Sequence, residues 1–204
     1  MANAKTLKSR LASGEFDARL KEVYLSDKAV EDQKKRDAVI IDEFVRLFGD
    51  NDSIELFSAP GRTEVGGNHT DHNHGKVLAA SVDLDTVAAA AKRDDGIIVE
   101  KSFKFDALEV DISDLEVHTE EFGKSSGLIR GMCAGFKERG YNIGGFNAAS
   151  MSRVLSGSGL SSSAAYEVLI GTILNHLYND GKVSPVEVAK IAQYAENKYF
   201  GKPC

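Results

Sequence analysis

A glycine- and serine-rich turn that leads directly into an apolar helical pattern constrains the fold of this chain more than any other stretch. It runs from Val154 to Ala165, with Gly157 and Gly159 followed by three consecutive serines. Glycine lets the backbone turn tightly and approach a ligand closely. The first turn of a helix has unpaired N–H groups and a partial positive charge, which together attract phosphate. The stretch therefore predicts a phosphate-binding loop between a strand and a helix.

Two simpler interpretations of this stretch are a Ser/Gly linker and an ordinary helix N-cap. A linker is disfavoured because strand-like and helical patterns adjoin the turn directly. A Walker A loop is excluded because no Gly-Lys-Ser or Gly-Lys-Thr follows. The N-cap interpretation stays open at this point.

Residues 61–75 concentrate side chains that can do chemistry. The segment contains one arginine, two carboxylates, three histidines and two asparagines. Arg62 suits a two-pronged, charge-assisted contact with a phosphate. Asn68, His69 and Asp71 suit the hydroxyls of a sugar, which need hydrogen-bond donors and acceptors at fixed angles.

The same segment is compatible with two other interpretations. One is a metal site, since several of its side chains are of ligand type. Those side chains are His69, Asp71, His72 and His74. The other has no chemistry, with the histidines hydrogen-bonded to the backbone of their own loop. Spacing alone does not choose among the three.

The bulk composition limits the partners of the chain. Its 204 residues carry 25 basic and 31 acidic side chains, a net charge of −6, so neither nucleic acid nor an anionic membrane is expected as a partner. Two cysteines, Cys133 and Cys204, do not make a disulfide framework and indicate a reducing compartment. The N-terminus lacks the apolar core of a signal peptide, and no apolar run approaches the ~20 residues that span a bilayer. We expect a cytoplasmic protein.

Hydrophobic periodicity predicts a mixture of helices and strands. Residues 1–50 are predicted to be helical, with Asp27 as an N-cap and Gly49 as a stop. The other predicted helices are residues 126–140, residues 164–177 and a helix capped by Ser184. The predicted strands are residues 54–59, ended or bent by Pro60, then 77–80, 86–91, 97–99, 103–105 and 147–154. Asp94-Asp95-Gly96 predicts a hairpin. Strands in hairpins with clustered helices indicate an α+β fold rather than alternating βαβ units.

Taken together, the two loops resemble those of the galactokinases, within the superfamily of galactokinase, homoserine kinase, mevalonate kinase and phosphomevalonate kinase. Residues 61–75 are similar to the signature Gly-Arg-x-Asn-x-x-Gly-Glu-His-Thr-Asp-x-Asn-x-Gly. Residues 154–165 are similar to the phosphate loop Pro-x-Gly-x-Gly-Leu-Ser-Ser-Ser-Ala. Ala195-Glu196-Asn197, followed by Gly201 and Cys204, resembles the stretch that leads to Cys-Gly-x-Met-Asp-Gln. The resemblance covers the chain from about Ile54 to Cys204.

The resemblance implies a fold and an organisation. The fold is the N-terminal lobe of the superfamily, which is ribosomal protein S5 domain 2-like, with a mixed sheet packed against helices. We expect a helical N-terminal segment over residues 1–50. Residues 51–204 would form the sugar- and ATP-binding lobe.

The resemblance also implies a function, transfer of the γ-phosphate of ATP to the C1 hydroxyl of galactose. Arg62 corresponds to the arginine that stabilises the transferring phosphoryl group, and Ser163 and Glu196 correspond to the residues that bind Mg²⁺. The sugar-binding positions are Asn68, His69, Thr70 and Asp71. The positions around the ATP phosphates are Gly157, Ser158, Gly159, Leu160, Ser161, Ser162 and Ser163. This resemblance makes a zinc site much less favoured.

Three departures from the family pattern bear on these roles. Asn68 stands where galactokinases have Glu, so the sugar preference is open. Thr63 and Glu64 replace the usual residues after the arginine, and Leu155 replaces a proline. The chain ends at Cys204, and the family's catalytic aspartate would lie four residues further on.

From this third departure we expect a truncated chain that lacks the C-terminal lobe and does not turn over galactose and ATP by itself. An alternative function is a non-catalytic module that senses a sugar or a nucleotide. A further expectation is self-association through the surface that truncation exposes.

Overall fold

The computed structural model describes residues 2–67, 70, 74–155 and 157–202. In this part of the chain, six helices cover a five-stranded mixed sheet, which confirms the predicted α+β fold with a mixed sheet packed against helices. The elements in chain order are α1 (Ala4–Ala12), α2 (Asp17–Tyr24), α3 (Asp27–Phe48), β1 (Glu55–Gly66), β2 (Leu78–Lys92), β3 (Ile97–Ser102), β4 (Leu108–Asp111), α4 (Ser125–Glu138), β5 (Phe146–Ser152), α5 (Ser162–Asn179) and α6 (Pro185–Lys198). None of these helices is long and apolar enough to cross a membrane.

The strand order is β1-β2-β5-β3-β4. β5 pairs antiparallel with β2 and parallel with β3, so Phe146 is opposite Lys92 on one side and Ile98 on the other. The hairpin predicted at residues 94–96 is therefore wrong, because β5 separates the two strands that the turn joins. Ala148 and Ala149 in β5 have no exposed surface, as expected for a central strand.

β1 and β2 are longer than the sequence predicts. β1 does not end at Pro60 but continues to Gly66, so the first part of the predicted loop 61–75 is strand. β1 is an edge strand, where a proline removes no ladder hydrogen bond. The register shifts between Pro60 and Arg62, a bulge that absorbs the bend. The two strands predicted at 77–80 and 86–91 are a single strand, β2.

Two smaller predictions are also wrong. Residues 103–105 form a turn rather than a strand, and the backbone N–H of Phe105 donates to the carbonyl of Ser102 at 3.1 Å. The side chains of Phe103 and Phe105 are exposed, so no sheet face buries them. The N-cap of α3 is Ser26, whose hydroxyl accepts from the N–H of Ala29 at 3.2 Å, and Asp27 is the first helical residue.

Both faces of the sheet are covered. One face packs against α4, α5 and α6, in a cluster that includes Ala88 and Ala90 of β2. The other face packs against α1 and α3, in a cluster that includes Ala89 and Ala91. Successive residues of a strand point to opposite faces, so the four alanines serve both layers. The predicted boundary between residues 1–50 and 51–204 stays a prediction.

α4 and α6 approach each other through a glycine. A Cβ placed on Gly131 would lie 2.8 Å from Ala195 Cβ and 2.9 Å from Ala195 Cα. We expect Gly131→Ala to lower the free energy of unfolding by about 1–3 kcal/mol, because overpacking outweighs the ~1 kcal/mol that alanine gains in helix propensity. Urea denaturation measures the change. Lys137→Ala, an exposed position on α4, is the control, and a Gly131→Ala protein as stable as wild type would contradict the packing argument.

Candidate functional site

The two loops singled out in the sequence meet at the edge strand. The backbone N–H of Arg62 donates to the carbonyl of Leu160 at 3.0 Å. Gly61 is buried against this contact, and a Cβ there would lie 3.0 Å from the Leu160 carbonyl and 3.1 Å from Val154 Cγ2. The start of the predicted sugar signature and the predicted phosphate loop therefore form one surface.

The predicted phosphate loop combines left-handed backbone conformations with a helix start that lacks a side-chain cap. Gly157 and Gly159 have φ near 76°, in the left-handed region. Ser161, the N-cap of α5, is also left-handed, with φ 57° and ψ 59°, and its hydroxyl makes no capping hydrogen bond. Such a conformation costs a non-glycine residue about 1 kcal/mol or more. The N-terminus of α5 consequently has first-turn N–H groups that its N-cap side chain does not satisfy.

The remaining loop contacts are internal. The Ser158 hydroxyl donates to the carbonyl of Leu155 at 2.6 Å, which closes the turn before the helix. Residues 157–159 are exposed, whereas Leu160 and the serines that follow are half-buried. The backbone of residues 157–159 is therefore accessible to solvent, whereas the Ser158 side chain is hydrogen-bonded within the loop.

Ser163 and Glu196, the predicted metal-binding pair, lie side by side. They are contributed by α5 and α6, and the Ser163 hydroxyl donates to Glu196 Oε1 at 2.9 Å. Glu196 is 3% exposed. The Lys202 ammonium lies 3.7 Å from the same carboxylate oxygen. The structure thereby places two oxygen donors next to the N-terminus of α5.

Glu167 is a third oxygen-bearing side chain here, and the sequence analysis missed it. It lies four residues after Ser163, on the same face of α5, and is 1% exposed. Its Oε1 is buried without a hydrogen-bond partner. Burial, reinforced by the charge of Glu196 and opposed by Lys202, raises the pKa of Glu167 to about 9. The available signal was a glutamate inside the apolar pattern of a helix that was predicted to be buried.

Arg62 and Thr70 are the described members of the predicted sugar and transfer site. Arg62 is half-buried, and its guanidinium has no side-chain hydrogen bond or ion pair to another described residue. The Thr70 hydroxyl donates to the carbonyl of Gly67 at 2.8 Å, and the Thr70 carbonyl accepts from the N–H of Gly75 at 2.7 Å. Thr70 therefore makes hydrogen bonds within its own loop, to Gly67 and Gly75.

The other predicted sugar residues, Asn68, His69 and Asp71, lie outside the described residues. The same holds for His72, so most of the alternative metal site of residues 61–75 is not described either. Within the described ranges, no group of three or more His, Cys, Asp and Glu side chains is arranged to hold a metal ion.

Comparison with protein families identifies two matching segments. Residues 42–92 match the family described as the galactokinase galactose-binding signature. Residues 127–204 match the family described as the GHMP kinases N terminal domain. The two segments contain, respectively, the predicted sugar signature and the predicted phosphate loop with Glu196.

Individual relatives agree. A galactokinase of Clostridium tetani is 33% identical over 162 residues, covering 79% of this chain and 41% of the relative. A galactokinase of Clostridium beijerinckii is 36% identical over 168 residues, covering 81% of this chain and 43% of the relative. The chain thus spans about two fifths of the length of the curated relatives that it matches.

Solved structures extend the likeness to the fold. The crystal structure of Lactococcus lactis galactokinase complexed with galactose superposes with a TM-score of 0.75 at 33% identity, covering 82% of this chain and 43% of that chain. The mevalonate kinase of Methanococcus jannaschii superposes with a TM-score of 0.61 at 17% identity, covering 74% of this chain and 48% of that chain, which shows the fold alone. The two family segments and these relatives confirm the resemblance to galactokinases, and they show that this chain matches the N-terminal portion of those proteins.

Proposed function

We propose that this chain is the sugar- and ATP-binding portion of a kinase that transfers the γ-phosphate of ATP to the C1 hydroxyl of galactose. The hydrogen bond from the Arg62 N–H to the Leu160 carbonyl carries this proposal. It sets the sugar signature against the phosphate loop, and phosphoryl transfer requires the two substrates to be held within reach of each other. The matching relatives are kinases, which favours transfer over a non-catalytic sensor.

The proposed roles follow from the chemistry of each group. The backbone of residues 157–163 and the N-terminus of α5 would hold the phosphates of ATP. Arg62 would stabilise charge on the transferring phosphoryl group, since an arginine can contact two of its oxygens. Asn68, His69, Thr70 and Asp71 would bind the sugar. Galactose is the proposed sugar because the Lactococcus lactis relative was solved as its galactose complex.

The described residues suit Mg²⁺, which the family implies. Mg²⁺ prefers a few protein oxygens and fills its other positions with water and phosphate oxygens. The Ser163 hydroxyl and the Glu196 carboxylate supply such oxygens at adjacent places, and the partnerless Oε1 of Glu167 faces no competing donor within the described chain. When bound, the ion would neutralise charge on the phosphates. Ser163 and Glu196 are the residues that would hold it.

The binding experiment for this proposal is calorimetric titration of the purified chain with Mg·ATP and with galactose. We expect both to bind. Ser163→Ala and Glu196→Gln should each weaken Mg·ATP binding by at least about tenfold and leave galactose binding unchanged, because they remove metal oxygens only. Glu109→Gln, an exposed position on β4 at the opposite edge of the sheet, is the control. A wild-type chain that binds neither compound would sink the proposal.

Glu167 makes a separate prediction about pH in metal-free buffer. Its pKa is about 9 in the folded chain, against 4.5 for an ordinary glutamate. The folded state therefore keeps a proton that the unfolded state loses, so this group lowers stability progressively as pH rises from about 4.5 to about 9. Glu167→Gln should be as stable as wild type near pH 4.5 and more stable at pH 9, by about 1–3 kcal/mol.

Urea denaturation of both proteins across that range measures the difference. Glu109→Gln again serves as the control, because its side chain is exposed in both folded and unfolded states. A constant difference between Glu167→Gln and wild type at all pH values would show that Glu167 does not hold the proton.

A further inference from the structure

A buried polar network lies behind the two loops, between the N-terminal helices and the sheet. Its centre is Asp85 of β2, which is 2% exposed. Asp85 Oδ2 accepts from the hydroxyls of Tyr24 and Ser58, each at 2.5 Å. Asp85 Oδ1 accepts from Nη1 of Arg36, which is 5% exposed. Gln33 extends the network to a second buried carboxylate, since its Oε1 accepts from the same Arg36 nitrogen at 3.1 Å and its Nε2 donates to Asp37 Oδ1 at 2.6 Å.

Arg36 also holds the backbone of two strands. Its Nη2 donates to the carbonyl of Asp85 at 3.0 Å and to the carbonyl of Met151 at 2.8 Å. The Asp85 carbonyl accepts from the N–H of Arg153 at 2.9 Å as well. Met151 and Arg153 lie three residues and one residue before Val154, where the predicted phosphate loop begins. One guanidinium on α3 therefore fixes the entry to that loop.

The same network stands at the entry to the sugar signature. Asp85 pairs across the β1–β2 ladder with Pro60, the residue before Gly61. The bulge in β1 follows at once, between Pro60 and Arg62. Asp85 thus contacts the residues before both loops. Its backbone carbonyl binds Arg153, before the phosphate loop, and its strand partner is Pro60, before the sugar signature.

Four members of the network come from outside the segment that matches the galactose-binding signature. Tyr24, Gln33, Arg36 and Asp37 precede residue 42, where that match begins. These side chains belong to α2 and α3, which also contribute to the wall of a cleft of about 760 Å³ beside β1. The network therefore joins helix residues that precede this match to a strand that lies inside it.

A buried ion pair contributes little net free energy to the packing of a helix on a sheet. Desolvation of the two charges offsets most of their attraction, and apolar side chains of similar volume attach elements at least as well. Arg36 even has a buried Nε without a hydrogen-bond partner among the described atoms. What apolar side chains cannot do is fix carbonyl groups of two strands at defined angles, as the planar guanidinium does.

We propose that Arg36 and Asp85, supported by Tyr24, are positioning residues that set the two loops at the separation needed for binding ATP and sugar together. That this separation serves the binding of ATP and sugar rests on the proposed function. That the two residues fix the backbone at Arg62 and Arg153 does not. It is testable without turnover.

Amide hydrogen exchange, resolved by residue, is the test. The double variant Arg36→Met/Asp85→Leu replaces both charges of the pair with apolar side chains, so neither member of the pair is left without the other. Asp37 keeps its hydrogen bond from Gln33 in this variant. We expect exchange at the Arg62 and Arg153 amides to rise at least tenfold, whereas core amides of the β3–β4 pair change less than twofold. Mg·ATP and galactose affinities should both fall. Tyr24→Phe keeps the shape of the side chain and should give a smaller rise at the same amides.

Arg46→Met is the matched control, because Arg46 lies on α3 in an exposed ion pair with Glu43. It should leave both loop amides unchanged. Equal acceleration at all protected amides in the double variant and in Tyr24→Phe would show a purely stabilising network and would overturn the proposal, as would unchanged exchange at Arg62 and Arg153. If wild type binds neither ATP nor galactose, the proposed function fails, whereas the exchange pattern still decides the positioning role.

Discussion

The architecture depends on strands that are buried on both faces at the centre of the sheet. Ala88 to Ala91 in β2 have no exposed surface and alternate between the two core clusters. Their small side chains let two layers of helices approach one sheet closely. Because α3 forms one of those layers, the N-terminal helices are part of the scaffold. The two candidate loops lie beyond the strand segments that helices cover on both faces, since β2 is buried only from Asp85 to Ala91.

Two glutamates of this chain show what a hydrogen-bonded cation does to a carboxylate. Glu121 accepts from Arg130 Nε at 2.8 Å, and that contact lowers the pKa of Glu121. Glu167 has no hydrogen-bonded cation in the described chain, and burial raises its pKa instead. A carboxyl group left in this state costs stability unless something positive is added. The position of Glu167 beside Ser163 and Glu196 makes sense for a site that completes its charge balance with a ligand.

The sequence predicted one contact of the candidate site more accurately than it predicted the paths of the strands. The proximity of Ser163 and Glu196 followed from the family resemblance, and the structure brings the two together across α5 and α6. The hairpin at residues 94–96 failed because a local turn signal contains no information about β5, which inserts from about fifty residues further along the chain. The predicted strand end at Pro60 failed for a related reason, because a proline interrupts a central strand but is tolerated in an edge strand such as β1. Glu167 was missed because burial of a charged side chain is a tertiary property.

Gly61 gives the family signature a meaning beyond its own loop. A Cβ there would lie 3.0 Å from the Leu160 carbonyl and 3.1 Å from Val154 Cγ2, so one of these two would have to move by a few tenths of an ångström. The close approach of one motif therefore favours glycine at the first position of the other, about a hundred residues away in sequence. In space the described parts of the two motifs adjoin at Gly61 and Leu160. A change in the path of either loop constrains which residues the other can accept, so the two should evolve as a unit.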